Sequence, residues 1–337
     1  GDATIDVGGD WVNTGATVDI GGSAAIDVEG DLVMDVVMDR SSQTERDGGT
    51  KRSSWDEEAI GSQLNIGGDA TIQTGGDFTM VASELNVGGS ADLDIEGDWN
   101  ILAAAEADQT QETSKKSGLF SSTRTTETTT TTSYESSKVN IGGNLSSTVG
   151  GDEVIYGSEL NVGGNWDNQH GGDMIISAAI EETSTHKLKE KEEFGFSMSL
   201  TSAEMTKTNT RNESYSTDQS IKGSQINVGG NINSTGDGNA TIVGSDITSG
   251  GDINIHGEEG VQLITASELD SMIQETQVDK TTIGVSIGNS WAETASNAGS
   301  DPLGAAKTAR DIASSAASAA TLGFYAKSGV SHESSKT

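Results

Sequence analysis

The chain contains no cysteine, a single proline, and only five phenylalanines, five tryptophans and four tyrosines in 337 residues. Without cysteine there is no disulfide, no zinc–thiolate centre and no thiol chemistry. Hydrophobic residues make up 32% and aromatics 4%. That is too little for a thick globular core, but enough for a thin tube to which each short strand lends one or two apolar side chains. Cations are scarce as well: 19 Lys and Arg stand against 52 Asp and Glu, a net charge of −33. This balance opposes binding to nucleic acid or to an anionic membrane face, both of which need clustered Lys and Arg. No run of about 18 apolar residues could span a bilayer, and no signal-peptide pattern is visible. The first residues, Gly1-Asp2-Ala3, already read as mid-repeat, so the chain is expected to be a segment of something larger.

What the chain does have is glycine, 44 residues of it, in an ordered arrangement. The motif Leu64-Asn65-Ile66-Gly67-Gly68 recurs at Leu85, Val139, Leu160 and Ile226, with looser copies at Val18 and Ile247. Leu64 to Leu85, Val139 to Leu160 and Ile226 to Ile247 are each 21 residues. Within one such unit the apolar residues fall two apart, as in Leu64, Ile66, then Ala70, Ile72, then Phe78, Met80, with Gly-Gly corners between. A period of two marks strands, and three short strands close one 21-residue coil. A fixed period through ungapped copies predicts coils stacked in parallel, each strand about 4.8 Å above its equivalent. Glycine is expected to supply positive φ at the corners. The Asp and Ser that follow are expected to bond backbone groups in the bend. The scarcity of proline fits a wound chain that needs nearly every N–H for its ladders. Asn65, Asn86, Asn140 and Asn161 point outward by alternation and should stack as an amide ladder; glycan contact is the functional alternative.

Longer stretches interrupt this pattern after every second coil, at about 39–60, 106–138, 181–223 and 268–288. They are rich in Ser, Thr, Lys and Glu, yet alternate with period two, as in Phe194-Gly195-Phe196-Ser197-Met198 and Ile283-Gly284-Val285-Ser286-Ile287. Each reads as a two-stranded β-hairpin arm extending the solenoid sheet from one edge, and neighbouring arms are expected to stack. The body runs over 1–288. In the tail, 289–337, Asp301-Pro302 is a good helix start and Gly323 a good stop, so a helix is predicted over 302–322.

The Gly-Ser-x-Leu-Asn-Val-Gly-Gly-Asp pattern of the coils, with the Thr-rich insertion containing Lys115-Lys116-Ser117-Gly118-Leu119-Phe120, resembles the haemagglutinin repeats of filamentous haemagglutinin-type exoproteins. The resemblance covers nearly the whole chain to about Gly288. It implies a right-handed parallel β-helix in a long filament, secreted to the cell surface at the outer membrane of a Gram-negative bacterium. It also implies export through an outer-membrane two-partner-secretion transporter. Members include adhesins and the delivery sticks of contact-dependent growth inhibition systems. The chain lacks the family's N-terminal secretion domain and a recognisable toxin, so neither transporter recognition nor toxicity carries over.

Parallel β-helices also host carbohydrate-active enzymes, which need carboxylates that break the repeat on one face. Here Asp10, Asp31, Asp69, Asp77, Asp98, Asp152, Asp173 and Asp252 all follow glycine and are themselves the repeat. His186 and His332 lie outside the coils; His170 and His256 lie within them at non-equivalent positions, without metal spacing, and read as solvated or satisfied. No phosphate-loop motif and no calcium-binding nonapeptide pattern is present. The expectation is therefore an all-β, non-enzymatic stalk with no catalytic, cofactor-binding or metal-binding residues. Calcium is left open on total acidity alone. The segment is read as a monomeric length of filament, and a target-cell protein or glycan is the partner the arms would meet.

Overall fold

The computed structural model describes residues 1–198, 202–287 and 324–336. Three parallel sheets wind around one axis, and a fourth, antiparallel sheet stands beside them. Coil one shows the unit: Ala3–Val7 on face A, Trp11–Thr14 on face B, Thr17–Ile20 on face C. Eight such coils follow one another, the eighth contributing Ile253–Gly257 and Gly260–Ile264. Pairing is in register throughout: Leu64 meets Leu85, Leu85 meets Val139, Val139 meets Leu160 and Leu160 meets Ile226. This is the parallel β-helix that the 21-residue period predicts.

The inward side chains form one continuous core from Ile20 to Ile242. Bulk shifts from face to face along it. In coils two to four, small Ala24, Ala70 and Ala91 on face A accompany Leu32, Phe78 and Trp99 on face B. In coils five and six the large residues, Leu145 and Trp166, are on face A. Summed volume, not residue identity, is what each level of a narrow tube must conserve.

The Gly-Gly corners have a different reason from the one expected. Positive φ occurs elsewhere, between faces B and C of the unarmed coils, at Gly15 (59°), Ala82 (45°), Gly157 (56°) and Gly244 (54°). The paired glycines are required by the coil beneath: a Cβ on Gly88 would lie 2.5 Å from the carbonyl oxygen of Gly67. The same close approach recurs at other paired glycines, such as Gly142 over Gly88 and Gly163 over Gly142, where glycine accommodates it.

The first three arms begin two residues before the predicted bounds, and the fourth three residues after. Val37–Asp47 with Thr50–Ile60, Ala104–Ser117 with Ser121–Glu135, and Ala179–Met198 with Ser202–Lys222 form the first three hairpins. They leave between faces B and C of coils two, four and six. They do not extend a solenoid sheet, as the sequence suggested. They pair with one another, Trp55 with Gln109, Thr128 with His186, and Tyr215 with Ile273, into a separate eight-stranded antiparallel sheet. The fourth arm is Ser271–Ile287, and its partner strand is Phe324–Lys336. These two paired strands lie on either side of the expected boundary at 288. The helix expected over 302–322 lies outside the described residues.

The spacing of the arms follows from this pairing. Each hairpin adds two strands, about 9.6 Å of sheet, and two coils advance the rod by the same about 9.6 Å. One arm per two coils keeps both sheets in hydrogen-bonding register.

Candidate functional site

The recurring acids are consumed by the fold. Asp10 Oδ1 accepts the backbone N–H of Asp31 at 3.1 Å, Asp31 that of Asp77 at 2.9 Å, and Asp77 that of Asp98 at 2.9 Å. Asp98 and Asp152 continue the column to Asp173. A second column at the corner between faces C and A runs through Ser23, Asp69, Ser90, Asn144, Asn165 and Asn231. These side chains bond the next coil, not their own bend. That makes them rungs holding coil to coil.

The asparagines form the expected amide ladder. Asn65 Nδ2 donates to Asp19 at 2.7 Å, Asn86 to Asn65 at 2.8 Å, Asn140 to Asn86 at 2.8 Å, Asn161 to Asn140 at 2.9 Å and Asn227 to Asn161 at 3.0 Å. Every bond runs in the same sense. The ladder walls a long shallow groove floored by glycines, among them Gly67, Gly88 and Gly142. Each amide keeps one N–H and one lone pair unused by the ladder.

A third column was not legible in the sequence. Ser62, Ser83, Ser137, Ser158 and Ser224 are buried at the corner between faces B and C. The N–H of each donates to the Oγ of the next, Ser83 to Ser137 at 3.1 Å and Ser137 to Ser158 at 3.2 Å. Serine is so common in this chain that its buried copies carried no signal of their own; alignment by coil would have shown one serine just before every face C strand after the first.

The arm sheet has a different chemistry. Of the 19 lysines and arginines only Lys138 belongs to a coil, against 25 acids in the same segments, 1–36, 61–103, 136–178 and 223–264. The rod is thus almost purely anionic, and the cations sit largely in the arms. There they pair across strands: Arg52 with Glu112 at 2.6 Å, Lys187 with Glu127 at 2.7 Å. Threonines bridge neighbouring arms, Thr129 to Thr185 and Thr131 to Thr183, each at 3.4 Å. His186 and Tyr215 stack with ring centroids 4.3 Å apart, and Glu213 accepts hydrogen bonds from Tyr215 Oη at 2.7 Å and His186 Nε2 at 2.9 Å. The Tyr215 bond, then His186 and Arg211, hold the Glu213 carboxyl below its ordinary range.

At the tips of arms two and three this polarity gives way. Leu119 (90% exposed), Phe120, Phe194, Phe196 (66%), Met198 (72%) and Met205 are all open to solvent. Phe194 N–H donates to the carbonyl of Phe120 at 2.8 Å, which joins the two tips. Lys207 lies over the Phe194 ring at 5.6 Å.

One group of side chains departs from expectation. His170 is neither solvated nor satisfied: it is buried, with Nδ1 at 2.8 Å from Gly172 O and Nε2 without a partner. Nearby, Glu153 is fully buried and accepts one bond from Asn168 Nδ2 at 2.5 Å. Burial pushes its pKa up to about 7, against the pull of Asn168. His256 is exposed. Among the described residues, no three His, Asp or Glu are grouped to hold a metal ion.

A coiled body whose corner acids, amides and hydroxyls bond the neighbouring coil, with arms at regular intervals, is a repeat-built structural rod. Three successive segments, residues 47–123, 119–220 and 202–334, match the family model described as the hemagglutinin repeat, and the chain belongs to that family. The match includes the returning strand of the fourth arm. No curated protein and no solved structure matches the chain. Hemagglutinin repeat proteins are secreted surface proteins of Gram-negative bacteria, structural or adhesive rather than enzymatic. The chain is a filamentous haemagglutinin-like stalk.

Proposed function

We propose that this segment spaces a functional end, adhesive or toxic, away from the cell that exports it through an outer-membrane transporter. The observation that carries the reading is the unbroken register of core and ladders through eight coils. Such a body is stiff along its axis, because coils one to seven are each bonded to the next through three strands, and the seventh to the eighth through two, with several side-chain columns beside them. The rod's anionic surface adds self-repulsion, which keeps neighbouring filaments apart. The test is an in-register deletion of two coils with their arm from the full-length exoprotein. Adhesion or killing should persist with shorter reach, measured by electron microscopy of the filament. Normal export with total loss of both activities would overturn the spacer reading.

A second reading rests on the tips. Leu119, Phe120, Phe196 and Met198 expose large apolar side chains on neighbouring arms of an otherwise strongly hydrophilic chain, and exposed apolar patches mark contacts with partners. Under this reading the arms touch a protein or glycan on the target cell. Replacing Leu119, Phe120 and Phe196 by serine leaves folding intact and abolishes binding to target cells; unchanged binding returns the arms to a structural role.

A further inference from the structure

We propose that the rod carries a proton-operated weak point in its core at coils five and six, where Glu153 holds the coils closed as the neutral acid and loosens them on ionising. The proposal concerns the rod alone and stands whatever the segment carries.

Elsewhere in the rod, the position of Glu153 on face B is apolar: Trp11, Leu32, Phe78, Trp99, Met174, Ala240 and Val261. Glu153 stacks directly between Trp99 and Met174 and has no exposed surface. The polar break is shared by face A at the same levels. Ser147, Asn168 and Ser234 occupy the column that holds Ile26, Ile72 and Leu93 below. These residues are linked: Trp166 Nε1 donates to Ser147 Oγ at 3.0 Å, Ser147 Oγ to Asn168 Oδ1 at 2.8 Å, and Asn168 Nδ2 to Glu153 Oε2. The network is incomplete. Glu153 Oε1, Trp99 Nε1 and His170 Nε2 have no partner.

No cation offsets a carboxylate there. Coil four presents Trp99 and Ile101; face A presents Leu145, Ser147, Val149, Trp166, Asn168 and His170; Met174 and Ile176 lie above. Face C presents Val139, Ile141, Leu160 and Val162. His170 is the only other titratable group among them. An ionised Glu153 is therefore an unpaired buried charge, which a packed core does not tolerate. The neutral acid keeps the hydrogen bond from Asn168 and leaves no charge in the core.

The sign follows from the direction of the shift. The folded value, about 7, lies above the ordinary 4.5, so the folded rod holds this proton more tightly than the unfolded chain. The stabilisation is complete below about 4.5 and is lost as pH rises through about 7. Over that window the equilibrium against local opening falls by about a hundredfold.

Hydrogen exchange of the full chain, followed by mass spectrometry at about pH 5 and about pH 8.5 and corrected for intrinsic rates, tests this. Peptides from 145–177 should lose about a hundredfold in protection at the higher pH, while those from 64–80 should not. Glu153→Gln should be equally protected at both. Glu153→Leu, which restores an apolar residue of the kind at Leu32, should also be independent of pH and serves if the glutamine variant folds poorly. A carboxylic-acid carbonyl band in the infrared spectrum at pH 6 should vanish in either variant. Loss of protection that is parallel in wild type and both variants, or no such band in the wild type, overturns the proposal.

Discussion

Ala82 and Gly157 occupy the same corner two coils apart, and both adopt positive φ, 45° and 56°. Gly15 and Gly244 do so at the equivalent corners of coils one and seven. Ala82 alone pays the cost of a Cβ in the left-handed region, about 1–2 kcal/mol. Ala82→Gly should therefore stabilise the rod, by up to about 1 kcal/mol once the added freedom of the unfolded chain is subtracted. A shift of the urea midpoint to lower concentration would count against this.

Leu85 is fully buried in the face C column, with Leu64 on one side and Val139 on the other. Leu85→Asp inserts an unpaired charge and should abolish cooperative unfolding or cost more than about 4 kcal/mol. Glu112→Ala removes only the exposed pair with Arg52 and should cost less than about 1 kcal/mol. Chemical denaturation of both variants is the check; equal losses would contradict the division between core and arm.

Trp166 fills face A of coil six and donates its indole N–H to Ser147. Trp166→Ala leaves a cavity in a tube one side chain wide and should cost about 3–5 kcal/mol. Around the half-buried Trp55 of the arm sheet the effect is smaller: Arg40→Ala, which removes a cation from the face of that ring, should cost less than about 1 kcal/mol.

Asn140 both donates to Asn86 and accepts from Asn161. Asn140→Ala breaks the ladder at its middle and should cost about 1–3 kcal/mol for two hydrogen bonds. Global denaturation read by far-ultraviolet circular dichroism would measure it, and no change would reduce the ladder to decoration.

Calcium should leave the melting temperature unchanged on addition or on chelation. The corner carboxylates Asp31, Asp77, Asp98 and Asp152 already accept backbone N–H groups, and the column they form is one residue wide. A rise in melting temperature of several degrees with calcium would require a site beyond these columns.

The rod was legible because its signal is periodic. Leu64, Leu85, Val139 and Leu160 announce their column by a 21-residue spacing, and Asn65, Asn86, Asn140 and Asn161 announce theirs beside it. The arms were legible one at a time but not as a sheet. Pairing such as Thr131 with Thr183 joins Ser- and Thr-rich strands that carry no hydrophobic pattern to fix a partner. The polar core escaped because alternation identifies which side a residue faces, not what surrounds it. His170 falls in the inward column of Ile95 and Val149, yet a lone histidine in a polar chain reads as solvated. Glu153 was hidden for a similar reason: it follows Gly-Gly-Asp as Phe78 and Met174 do, and only comparison across those coils makes it conspicuous.

The matching of one hairpin to two coils separates two dimensions of this molecule. Along the axis, length can change only in whole steps of two turns plus an arm, because any other increment would break the register of one sheet or the other. Sideways, each arm can lengthen residue by residue without disturbing the winding, as its growth from 11-residue strands in the first to 20 and 21 in the third illustrates. Filaments of this kind can thus set their height digitally and their breadth continuously, under separate selection.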